Sequence, residues 1–143
     1  MENRRTIIPV DGSQTSQQTI KSLIDDRISF PQGVTLLHVV DIDKLAYRMI
    51  PDFQVEMIRE SAGKTGQKVL DEHCRAMAAA GFKVTGRLEF GSPRQTICKV
   101  ATEEDVQLLS LGRRQSSGEI RDVLFGSVAN YVLHNVACPV LLF

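Results

Sequence analysis

Five short apolar runs, rich in β-branched residues, alternate along this chain with segments whose apolar residues recur at helical spacing. The runs cover residues 6–10, 34–40, 82–90, 106–111 and 140–143. Four of them are almost continuously apolar, the pattern of strands covered on both faces. The run at 82–90, FKVTGRLEF, alternates apolar with polar residues and reads as a half-exposed strand nearer a sheet edge. The order is therefore β-α-β-α-β-α-β-α-β. Strict alternation of this kind places strands in parallel, with the crossover helices covering the two sheet faces in a doubly wound α/β fold.

Local signals punctuate this order. Ser13 is an N-cap for a helix whose apolar face carries Ile20, Leu23, Ile24 and Ile28. A longer helical pattern runs over 53–80, with Gly63 and Gly66 weakening its middle and Gly81 as its C-cap glycine. Ser92-Pro93 opens the next helix with Pro at its first position, and Ile97, Val100 and Ala101 continue on one face. Gly126-Ser127 opens the last, which shows Val128, Val132 and Val136. Pro9 is awkward near the end of a central strand, because it donates no ladder hydrogen bond. Either pairing stops there or the backbone opens for another purpose.

The 143 residues suit one domain, residues 1–143, with a single core; there is no internal repeat, low-complexity tract or linker. Lys+Arg and Asp+Glu are both 17, so the basic excess of a general nucleic-acid binder is missing. No apolar run is long enough to span a bilayer, and the opening MENRRTIIPVDG has no signal-peptide apolar region. A cytoplasmic protein without membrane or nucleic-acid partners is expected. Cys74, Cys98 and Cys138 form no C-x-x-C pair and read as reduced thiols in or near a core. Cys98 has no activating His beside it, and His38, His73 and His134 stand at no metal-ligand spacing. These histidines read as structural or surface residues.

Ligands of doubly wound sheets bind beyond the C-terminal ends of the strands, where strand order reverses. Three such ends stand out: Asp11 after the first strand, Val39-Val40-Asp41 after the second, and Gly112 after the fourth. The loop from Gly112 to Ser127 carries Arg113, Arg114, Gly118 and Gly126 and leads into a helix. Unpaired amides and the dipole at a helix N-terminus attract anions, phosphate above all. In that reading Gly112 and Gly118 let the backbone bend, Gly126 leaves room for a ligand, Ser127 adds a hydroxyl, and the arginines add charge. The plain alternative is an ordinary loop whose glycines serve turns. The loop is neither a Walker A sequence nor G-x-G-x-x-G. Asp11 has two readings as well: a carboxylate accepting from a ribose hydroxyl, or a turn group satisfying nearby amides. The wholly apolar end of the chain would be a hazard if left exposed. Pairing with its own copy in a symmetric dimer covers it, and an internal slot in the sheet is the alternative.

The segments IIPVDGS, LLHVVD, FGSP, LLSLG and GSVANYVLHNVACPVLLF are similar to those of the universal stress protein family, over essentially the whole length. The resemblance implies a Rossmann-like five-stranded parallel sheet of order 3-2-1-4-5, and a homodimer paired through the last strand, which follows Pro139 and ends at Phe143. It also implies binding of ATP or another adenine nucleotide, with Mg²⁺ where the phosphates require it. By similarity Asp11 holds the ribose, the backbone at Val39 or Val40 faces the adenine, Gly112, Gly126 and Ser127 hold the phosphates, and Pro9 and Val10 line the pocket. The family pattern is Gly, two residues, Gly, nine residues, then Gly-Ser/Thr. Here Gln115 stands at the second glycine, and ten residues separate it from Gly126. A residue with a Cβ costs about 1–2 kcal/mol if that position needs a left-handed backbone. A loop one residue longer can use Gly118 for the bend instead.

Three function classes follow. The first is a nucleotide-binding stress-response regulator that turns over no substrate and acts on an unidentified signalling partner. The second is a dimeric interaction module of the same fold, its pocket closed by Gln115 and the longer loop. The third, an ATP-hydrolysing enzyme, lacks a loop lysine and an evident base to activate water.

Overall fold

The computed structural model describes residues 5–26, 30, 33–42, 51–104, 106–112 and 127–142. Nine elements alternate as the sequence predicts: β1 (Thr6–Pro9), α1 (Gln14–Asp25), β2 (Val34–Asp41), α2 (Asp52–Ala79), β3 (Val84–Gly91), α3 (Pro93–Glu103), β4 (Leu108–Leu111), α4 (Ser127–Asn135) and β5 (Val140–Leu142). The strands form one parallel sheet in the order β3-β2-β1-β4-β5. The direction of winding reverses between β1 and β4.

Successive strand residues point to opposite faces, and both faces are covered, so neighbouring apolar residues enter different cores. Ile8, Leu36, Leu23, Leu70 and Met77 pack together on the side of α1 and α2. Ile7, Leu37, Ile97, Leu109 and Val132 pack on the side of α3 and α4. The single core expected from chain length is thus divided in two by the sheet. The third strand lies at an edge, as its alternation predicts, with Thr85 and Gly86 exposed. Arg87 on that strand pairs with Glu89 and Glu104, and charge along an edge discourages pairing with other chains.

Helix α2 runs unbroken for 28 residues despite its two interior glycines. Both are buried against the sheet. A Cβ on Gly63 would stand 2.9 Å from Phe90 Cζ, and one on Gly66 would stand 2.9 Å from His38 Cδ2. The propensity lost at these positions is offset by a closer approach of helix to strands. The same helix ends in a Schellman motif: Phe82 N–H donates to Met77 O at 3.1 Å and Gly81 N–H to Ala78 O at 3.0 Å. Gly81 has φ +96°, as the C-cap reading requires.

Nothing lies within 4 Å of a Cβ placed on Gly81, so Gly81→Ala tests backbone strain alone. It is expected to lower stability by about 1–2 kcal/mol in urea unfolding. An unchanged midpoint would contradict the cap.

Candidate functional site

Pro9 decides where the sheet opens. The ladder from β1 to β4 pairs Thr6 with Leu108 and Ile7 with Leu109 and then stops. On the other side β1 stays paired with β2 through Pro9 and Leu37, and Val10 N–H donates to Leu37 O at 2.8 Å. Donors alternate sides along a strand, so the nitrogen of Pro9 faces β4 and has no hydrogen to give. The two strands part at the point where winding reverses.

A cavity of about 520 Å³ occupies that opening. Pro9, Val10 and Asp11 line it from the end of β1, Leu37 and Val39 from β2, Leu111 and Gly112 from the end of β4. Ser13 to Ser16, at the start of α1, and Ser127, Val128 and Ala129, the first turn of α4, complete the wall together with Pro93 and Ile97. First-turn amides of a helix lack intrahelical acceptors and carry the positive end of its dipole. Two such ends border one cavity, with a carboxylate beside them.

Asp11 is tied by its neighbours. Its Oδ1 accepts from Ser13 N–H at 2.8 Å and from Ser16 Oγ at 3.0 Å, while Ser16 Oγ accepts from Asp11 N–H at 2.8 Å. Ser13 also caps α1, its side chain accepting from Ser16 N–H at 3.2 Å. The turn reading of Asp11 is observed here: its Oδ1 serves the turn, and the residue lines the cavity. Burial pushes the Asp11 carboxyl up, but the hydrogen bonds from Ser13 and Ser16 and the nearby His38 outweigh it and hold the group below its ordinary value.

Of the residues singled out in the sequence, the structure gathers Pro9, Val10, Asp11, Val39, Gly112 and Ser127 around this cavity. Val40 points to the other sheet face, where its Cγ2 would lie 3.0 Å from a Cβ on Gly66, and it lines an adjoining depression that shares Asp11, Val39, Pro93 and Val128 with the cavity. Arg113, Arg114, Gln115, Gly118 and Gly126 lie outside the described residues, as does Ile28. Gly112 does permit a close approach, but to α1: a Cβ there would overlap Thr19 Oγ1 and stand 3.0 Å from Thr15 Cγ2. Thr19 fixes that contact by donating to Thr15 O at 2.9 Å.

Two of the histidines read as structural or surface residues meet backbone carbonyls beside the site. His38 Nδ1 lies 2.8 Å from Val10 O, and His73 Nε2 lies 3.0 Å from Asp11 O. No local motif marks them, because their partners are 28 and 62 residues away in sequence. Burial pushes the thiols of Cys74, Cys98 and Cys138 up, which keeps them protonated near neutral pH. Among the described residues no group of three or more His, Cys, Asp or Glu side chains is placed to hold a metal, and no helix is long and apolar enough to cross a membrane.

A model of the universal stress protein family matches residues 2–143. The chain belongs to that family. Universal stress protein Sll1388 of Synechocystis is 40% identical over 148 residues, covering 96% of each chain. Among solved structures, MJ0577 of Methanocaldococcus jannaschii superposes with a TM-score of 0.79 at 21% identity, over 99% of this chain and 96% of its own. A universal stress protein of Archaeoglobus fulgidus solved in complex with dAMP aligns with a TM-score of 0.66 at 20% identity, over 99% of this chain and 98% of its own. A universal stress protein solved in complex with cAMP aligns with a TM-score of 0.67 at 17% identity, over 99% of this chain and 96% of its own. The sheet order implied by the family resemblance is the order observed.

The lowered Asp11 carboxyl gives this universal stress protein a pH signature. Its contribution to stability is complete above the ordinary value of 3.8 and is lost as pH falls through the lower folded value. Urea midpoints measured across that acid range should fall more steeply for the wild type than for Asp11→Asn. Parallel curves would show that the bonds to Ser13 and Ser16 do not persist in solution.

Proposed function

We propose that this universal stress protein binds an adenine nucleotide in the cavity between the ends of β1 and β4, and acts in the cytoplasm as a stress-response regulator without turning over substrate. One observation carries the reading. The parted strands bring the Asp11 carboxylate and the first turns of two helices to a single cavity. Ribose hydroxyls donate to a carboxylate, phosphates accept from helix amides, and an adenine fits against the apolar wall at Val39. A volume of about 520 Å³ is of the size that small-molecule sites have. The family relatives in complex with dAMP and cAMP support the choice of an adenine nucleotide. Mg²⁺ accompanies the nucleotide in this proposal only where a polyphosphate needs charge neutralised.

The second reading is a dimeric interaction module whose pocket stays closed. The substitution of Gln115 for the family's second glycine, with ten residues before Gly126, favours it. Calorimetry with ATP, ADP and AMP, with and without Mg²⁺, separates the two. Saturable heat that weakens about 10–100-fold in Asp11→Ala, the loss of a charge-assisted bond, supports the first reading. No heat from folded protein at high concentration selects the second. Steady phosphate release that vanishes in Asp11→Ala would instead make the protein an enzyme.

We also propose a homodimer paired through β5. This strand ends the sheet on the side opposite β3, and Val140, Leu141 and Leu142 are only half-buried in one protomer. An apolar edge strand of this kind is normally covered. Removing residues 140–143 is expected to yield monomer or insoluble protein in sedimentation experiments. A soluble dimer that survives the deletion would place the interface elsewhere.

A further inference from the structure

We infer that His38 and His73 are positioning residues that aim Asp11 into the cavity. They hold the end of β1 after its ladder to β4 has stopped. Both contacts are to carbonyl oxygens, which only accept, so His38 donates through Nδ1–H and His73 through Nε2–H. The acceptors are the consecutive carbonyls of Val10 and Asp11, immediately before the Ser13 cap. One imidazole comes from β2 and the other from α2, so the segment is anchored from the strand beside it and from the helix above it.

Gly66 makes the arrangement possible. A Cβ at that position would stand 2.9 Å from His38 Cδ2 and 3.0 Å from both His38 Nε2 and Val40 Cγ2. Without it the imidazole keeps the orientation that directs Nδ1 at Val10 O. Two helical turns further on, the same face of α2 presents His73 to Asp11 O, and between them Val69 Cγ2 lies 3.7 Å from where a Cβ of Gly12 would be. The close approach of α2 thus reaches the carboxylate through the backbone that carries it. Loss of either donor leaves a carbonyl at the strand end without its partner and loosens the turn that holds the Asp11 carboxylate at the cavity.

The inference rests on the nucleotide reading for its consequence, but part of its test does not need a nucleotide. The variants are His73→Leu, which removes the donor from a partly exposed position, and His73→Gln, whose amide restores one; urea unfolding first confirms that both are folded. In the nucleotide-free protein, carbon-detected NMR titration should show the Asp11 carboxyl below its ordinary value in the wild type. It should return toward that value in His73→Leu and stay low in His73→Gln. With nucleotide, the wild type should prefer ATP over 2′,3′-dideoxy-ATP by about tenfold, the worth of one such hydrogen bond. His73→Leu should bind the two within about twofold of each other, with dideoxy-ATP affinity unchanged, and His73→Gln should recover the preference. An Asp11 titration and a nucleotide preference that are both unmoved in His73→Leu would overturn the positioning role. If the wild type binds neither nucleotide, the nucleotide reading falls, and the Asp11 titration alone decides the role of the histidine.

Discussion

The missing N–H of Pro9 is the constraint on which the site depends. A parallel sheet gains its rigidity from ladders on both sides of a central strand, and β1 is the most central strand here. Its ladder to β2 runs on through Val10, whereas its ladder to β4 ends at Ile7. In a doubly wound fold the crossovers leave β1 and β4 in opposite directions, so no helix closes the gap directly above them. A residue without a donor at this place widens a gap that topology had already begun. The cavity, the exposed carboxylate and the two helix starts around it all follow from strands that part at the switch point.

A strand end released from one neighbour has to be held by others. Asp11 and its flanking residues are fixed through side chains: Ser13 and Ser16 from the start of α1, His38 from β2, His73 from α2. These bonds use the carboxylate and the backbone around it, and Asp11 still lines the cavity. The turn is therefore satisfied and the site is still provided with an acceptor. Of the two readings that Asp11 carried as a residue in a sequence, the turn group is the one seen in the fold.

How much could be read in advance follows from how far each signal reaches along the chain. Strand order within the chain, the Ser13 cap, Pro93 at a helix start and the left-handed Gly81 depend on residues within a few positions of one another, and all are written in the sequence. The edge position of β3 was legible too, because alternation records exposure directly. The roles of Gly63 and Gly66 were not. In sequence they look like defects of a helix; in the fold they meet Phe90 and His38, 27 and 28 residues away. The close approach expected at Gly112 is seen, to Thr19 of α1, a partner 93 residues away that no local pattern marks. His38 and His73 gave none, because an imidazole inside an apolar strand or on a helix has many structural uses and its acceptor is set by tertiary packing alone.

The two faces of the sheet are consequently not independent. The cavity opens mainly toward α3 and α4, where Pro93, Ile97 and the first turn of α4 wall it. The backbone of the group that most defines its chemistry is held in part from α2, whose residues line an adjoining depression with Pro93 and Val128. A change buried under α2, as small as one methyl group at Gly66, must displace either His38 or the helix, and both lead to the carbonyls beside Asp11. The two glycines of α2 are explained by close approach, Gly63 to Phe90 and Gly66 to His38, and not by helix stability, which on propensity alone would favour alanine at both positions.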